Sequence, residues 1–69
     1  MIYEIIETHG IGPAIRKTVY LTADTFSDAI ALARATFNII DLEVDPLNPR
    51  CADFYTSDAR VMSIEPKGA

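Results

Sequence analysis

Hydrophobic and polar positions alternate with a period of two along most of this chain and switch to a helical period only once. The switch lies at Thr25–Phe37, read T-F-S-D-A-I-A-L-A-R-A-T-F. Phe26, Ala29, Ile30, Ala33 and Phe37 recur there at three- and four-residue steps and define one apolar stripe. Thr25 three residues before Asp28 predicts a capping box, in which the threonine oxygen accepts from a free first-turn amide. Asn38, tolerant of the left-handed conformation, is the expected terminator. The outward side holds Asp28, Ala31, Leu32, Arg34 and Ala35, with Leu32 its only large apolar residue.

The alternating stretches flank this helix. Ile2–Thr8 is apolar on two faces, Tyr3/Ile5 and Ile2/Ile6, which predicts a central strand or one whose second face meets a partner. His9-Gly10-Ile11-Gly12-Pro13 is a turn. In Ala14–Ala23, Ile15, Val19, Leu21 and Ala23 point one way and Arg16, Thr18, Tyr20 and Thr22 the other. The short loop makes these two strands an antiparallel hairpin. Ile39–Asp45 sends Ile40, Leu42 and Val44 inward and Asp41, Glu43 and Asp45 outward. Pro46-Leu47-Asn48-Pro49 breaks the ladder, and Ala52–Thr56 and Arg60–Glu65 flank a turn at Ser57-Asp58. Phe54, with Val61 or the Met62/Ile64 pair, completes the core, and Pro66–Ala69 reads as a frayed tail. The order β-β-α-β-β-β predicts an α+β fold, an antiparallel sheet of four or five strands with one helix on one face. The four-stranded alternative leaves Ala52–Thr56 as a loop.

The totals narrow the function classes. A chain of 69 residues predicts a single domain over 1–69 with a small core. One cysteine, Cys51, gives no internal disulfide framework and fits a reducing, cytoplasmic setting. No apolar run reaches the length of a membrane span. A net charge of −4 disfavours direct nucleic-acid binding and permits a basic partner.

Candidate chemistry is sparse. His9 is the only histidine, and no second triad member can be assigned from spacing, so the expectation is no catalytic residue, no metal site and no cofactor. The G-x-G at Gly10–Gly12 joins strand to strand and opens no helix, against the context a phosphate cradle requires. The acidic row remains. Carboxylates at Asp41, Glu43 and Asp45 repeat about every 6.8 Å along a strand, a negative track spaced like nucleic-acid phosphates. Glu4, Glu7 and Asp53 extend it if their strands are neighbours. A charged edge that resists aggregation is the competing reading. The sheet face without a helix, expected to carry Tyr20, Thr18 and Arg16 beside the acidic row, is where a partner or a second copy would bind.

A hairpin, a helix opened by Thr25-Phe26-Ser27-Asp28-Ala29 and a meander closing on Val61-Met62-Ser63-Ile64-Glu65 resembles small phage-encoded proteins of the type I anti-CRISPR inhibitor kind. The resemblance implies a non-enzymatic protein that binds a CRISPR effector complex and blocks DNA access or nuclease recruitment. It implies no particular site residues. The expected function is therefore a protein-binding inhibitor of a larger basic protein or nucleoprotein complex. Its contacts are Asp41, Glu43, Asp45, Tyr20 and Arg16. The alternative is a dimeric regulatory or antitoxin-like module joined through the uncovered sheet.

Overall fold

Thr25 opens the helix as its spacing to Asp28 requires. Its backbone is extended, and its Oγ1 accepts a hydrogen bond from the Asp28 amide at 3.0 Å. In the computed structural model, which describes residues 1–10 and 12–68, this helix, α1, spans Phe26–Thr36. Around it lie β1 (Tyr3–His9), β2 (Arg16–Ala23), β3 (Ile39–Val44), β4 (Ala52–Thr56) and β5 (Val61–Pro66). The five strands form one antiparallel sheet in the order β2-β1-β5-β4-β3. The fold is α+β in the expected order β-β-α-β-β-β, and Ala52–Thr56 is a strand, which decides the sheet for five.

The helix lies over β1, β2 and β5. Ala29 and Ala33 are fully buried, and their small side chains let the helix sit close to Tyr3, Ile5, Phe54, Met62 and Ile64. Phe26, Ile30 and Phe37 of the expected stripe pack against this cluster. Leu32, expected to face outward, packs there as well. The helix stops one residue early. Phe37 turns extended while its amide still donates to Ala33 at 2.8 Å, so Asn38 is no left-handed cap. The abrupt exit sets the Phe37 ring between Tyr20 and Phe54, with centroids 6.0 and 5.9 Å away. Asn38 instead ties the helix exit to the β4–β5 turn. Its Nδ2 donates to Ser57 Oγ and its carbonyl accepts from the Ser57 amide, both at 2.9 Å.

Two bulges change which residues face where. In β2, Ile5 pairs with Leu21 and Ile6 with Val19, so Tyr20 is the extra residue. Leu21 and Ala23 lie under the helix as expected, but Val19 passes to the opposite face. Thr18 and Arg16, paired with Glu7 and His9, move to the helix side, and Tyr20 goes with them. In β3 the register shifts between Ile39 and Asp41. Ile40 is thereby expelled and is 71% exposed, where strict alternation had placed it in the core. Val44 is also exposed, leaving Leu42 as the β3 residue of the three that packs inward.

At the first hairpin Gly10 has φ +90°, and an added Cβ would meet the Ala14 carbonyl oxygen at 2.5 Å, so glycine is required there. Ala14 and Ile15 belong to this connection rather than to β2, and Ile11 lies outside the described residues. At the other end, Pro66 continues β5 and the Lys67 amide donates to Ile2 at 2.8 Å. The expected frayed tail is thus tied down at least to Lys67; Ala69 lies outside the described residues.

The β4–β5 turn carries a local strain. Thr56 and Arg60 close it, with the Thr56 amide donating to the Arg60 carbonyl at 3.1 Å, and Ala59 sits at φ 66°. A left-handed alanine costs about 1 kcal/mol that glycine avoids. Ala59→Gly should therefore raise the urea midpoint, by about 1 kcal/mol of stability at unchanged m-value. A lowered midpoint would show that the alanine methyl makes a compensating contact.

Candidate functional site

Strand register sorts the charged residues onto two faces. Residues paired across an antiparallel ladder share a face. Tyr3, Ile5, Met62, Ile64 and Phe54 define the helix side, so their sequence neighbours lie on the open side. Glu4 pairs there with both Thr22 and Glu65. Ile6 pairs with Val19 and Ser63, Ser63 with Asp53, and Asp53 with Glu43. Tyr55 pairs with Val61 and with Asp41. The open face therefore carries five carboxylates, Glu4, Asp41, Glu43, Asp53 and Glu65, of the ten in the chain.

Two pairs of these stand directly opposite one another, Glu43 with Asp53 and Glu4 with Glu65. Like charges so placed repel, at a cost of about 0.2–1 kcal/mol per pair. Within the strands, Lys17 is the one cation that offsets them. Its Nζ lies 3.6 Å from Glu65 Oε1. To get there from β2 the lysine crosses β1, the strand whose Ile6 is only 4% exposed on a face that no helix covers. Val19, Tyr55 and Val61, each about half exposed, add an apolar component beside the charge.

The expected row along β3 survives in part. Asp41 and Glu43 are exposed on the open face. Asp45 is beyond the strand. Its amide donates to the Cys51 carbonyl at 2.9 Å, and its Oδ1 accepts from the Leu47 amide at 2.9 Å, so this carboxylate shapes the loop. In its place the charge spreads across the sheet through Asp53 to Glu65. Cys51 registers the convergence: half-burial pushes its thiol up, and the charges of Glu65, Asp45 and Asp53 push it further. That thiol is held protonated and weakly nucleophilic.

Tyr20 and Arg16, expected on the same face, are on the other side. The Tyr20 hydroxyl donates to Glu7 Oε1 at 2.8 Å, and this hydrogen bond is the main reason its pKa rises above 10.0. The Arg60 guanidinium lies 5.4 Å from the Tyr20 ring centre and 5.8 Å from that of Phe37. Its Nε is 3.8 Å from Glu7 and 3.4 Å from Asp58. Asp58 accepts from the buried Thr56 hydroxyl, which holds its carboxyl below the usual range. Glu7, half-buried, is thus the hub of a clamp joining β1, β2 and the β4–β5 turn, and it adds nothing to the open-face track. His9 Nε2 stands 3.7 Å from the same Glu7 oxygen, beyond hydrogen-bond reach. What this arrangement does is fix three elements together.

Among the described residues no pocket opens, no three His, Cys, Asp or Glu side chains are placed to hold a metal ion, and no helix is long and apolar enough to cross a membrane. Sequence reasoning passed over Glu65. The signal was available, because in a strand where Met62 and Ile64 are core residues, Glu65 must share the face of Val61 and Ser63. Comparison with protein-family models, with curated proteins and with solved structures gave no match.

Two measurements check this geometry. Asp53→Asn removes one member of an opposed pair and should raise the thermal midpoint, with the gain shrinking as salt screens the repulsion; a lowered midpoint would mean that Asp53 has an attractive partner. In a 295 nm titration, Tyr20 should ionise above pH 10, and Glu7→Gln should lower that pKa. Because the folded-state pKa is raised, the stability linked to Tyr20 is complete below about pH 10 and lost as pH climbs through the higher value. A titration unchanged by Glu7→Gln would remove Glu7 as the cause.

Proposed function

We propose that this protein is a non-catalytic binding protein that inhibits a larger partner by covering a basic surface with its open sheet face. One observation carries the reading: Glu43 faces Asp53 and Glu4 faces Glu65 on that face, with Lys17 as the only cation within the strands to offset them. Directly opposed like charges weaken a small sheet, and a cationic partner turns that cost into attraction and into faster, steered encounter. The neighbouring Val19, Val61 and Tyr55 supply the apolar area that such a contact needs. A basic nucleic-acid channel fits this surface, and a CRISPR effector complex is the narrower partner that the sequence resemblance suggests.

The competing reading, a homodimer through the same face, is supported by the exposed apolar residues and opposed by charge. Stacking two copies face to face would set five carboxylates against five. Tagged protein used as bait in a host lysate should recover a basic protein or nucleoprotein. The variant carrying Glu43→Lys, Asp53→Lys and Glu65→Lys should recover it at least tenfold less, with circular dichroism unchanged. Equal recovery by both, or recovery of only a second copy of the chain, would overturn the proposal. Asp45 is left intact in this variant because its carboxylate holds the Leu47 amide.

A further inference from the structure

The most incomplete part of the sheet is its β3 border. Among the described residues β3 has β4 as its only strand neighbour, and the helix rests on β1, β2 and the central β5. After the bulge at Ile40, the residues Asp41–Val44 pair with β4 in unbroken register. The Asp45 amide donates to Cys51, which makes that pair hydrogen-bonded. Hydrogen-bonded and non-hydrogen-bonded pairs alternate along an antiparallel ladder. Counting back, Glu43 and Asp41 bond to β4, while the N–H and C=O of Leu42 and Val44 point out of the sheet. These are free valences at an exposed border: Val44 is 41% and Ile40 71% exposed.

The side chains of this border are sorted by face. Asp41 and Glu43 lie on the open face, and Leu42 and Val44 on the helix side. A strand added antiparallel to β3 would place its residues opposite Leu42 and Val44 in hydrogen-bonded pairs on the helix side. Its residues opposite Asp41 and Glu43 would fall in the closer, non-hydrogen-bonded pairs on the open face. Complementarity then calls for apolar residues at the first set and Lys or Arg at the second. We propose that β3 is a docking edge for an extended segment of a partner protein in which basic and apolar residues alternate, bound by strand addition.

A second copy does not fit the same edge. Pairing β3 with its own copy about Leu42 would oppose Asp41 to Glu43 twice, a like-charge register. The copy's β2 is basic at Arg16 and Lys17, but these point to opposite faces, and Lys17 already pairs with Glu65. The bulge at Tyr20 also interrupts the β2 border. The charges that keep β3 from pairing with itself are the ones that select a basic strand. The inference rests on the proposed function, since it names the kind of segment the acidic surface takes and how it is held.

The test uses the full chain and a fluorescein-labelled Lys-Val-Lys-Val-Lys-Val-Lys peptide at low salt, read by anisotropy. Binding should be retained when the lysine nitrogens are methylated and weakened at least tenfold when the valine nitrogens are methylated, because only the latter face the Leu42 and Val44 carbonyls. Val44→Pro removes one outward donor at a border position and should weaken the parent peptide similarly while leaving circular dichroism unchanged. In the complex, the Leu42 and Val44 amides should become slow to exchange with solvent. Equal affinity for the two methylated peptides would overturn strand addition and leave the acidic-face reading standing. Failure of the parent peptide to bind would also overturn it. Self-association through this edge, seen as mass growing with protein concentration and abolished by Val44→Pro, would overturn the choice of partner. The acidic-face reading fails separately, if the Glu43, Asp53 and Glu65 reversal leaves lysate capture unchanged.

Discussion

One helix of eleven residues has to serve a sheet of five strands, and the rest of the structure follows from that mismatch. Such a helix is about 16 Å long, whereas five strands at about 4.8 Å spacing present a broader surface. The helix settles over β1, β2 and β5, and only alanines at its closest points allow a tight seat on so small a core. Phe37 extends the cover past the end of the helix by swinging out at once toward Phe54 and Tyr20. Beyond its reach, β3 is held by a single neighbour, and the whole second face stays bare.

The bare regions are filled with charge, and the two sides differ in how that charge is managed. On the helix side Glu7 is surrounded: Tyr20 donates to it, Arg60 lies near it, and Arg60 in turn stacks on aromatic rings and reaches Asp58. That network binds three elements, and each of its carboxylates has a hydroxyl donor and the Arg60 guanidinium beside it. On the open side Glu43 and Asp53, and Glu4 and Glu65, oppose each other with little relief. A matched cluster is explained by folding. The opposed carboxylates of the open face lack such a network, and this difference separates them from the clamp.

Much of this was legible in the sequence. The helix, its Thr25 cap, the element order and the buried Phe54 follow from local pattern, because periodicity and capping act over a few residues; the choice between Val61 and the Met62/Ile64 pair was left open there, and the fold buries Met62 and Ile64. The residues placed on the wrong face of β2 and β3 share one cause. A bulge adds a residue without any local mark in the pattern, and every side chain beyond it changes face. Tyr20 sits in an alternating run yet is the extra residue in β2, so Val19, Thr18 and Arg16 all exchange sides. Ile40 is lost to the core in the same way. The sheet order was also beyond local reading, since it brings β5 between β1 and β4 and thereby joins Glu65 to Glu4. Asp41 and Glu43 lie on the expected face because they follow the β3 bulge and keep step with Leu42.

The central claim is that the open face holds charges the fold itself does not neutralise. The coupling free energy between Glu43 and Asp53, from a double-mutant cycle with Glu43→Gln and Asp53→Asn in chemical unfolding at low salt, addresses it most directly. The account predicts repulsion of about 0.2–1 kcal/mol, with each single substitution stabilising and the double variant gaining less than the sum of the two. Zero coupling, or an attractive one, would contradict it.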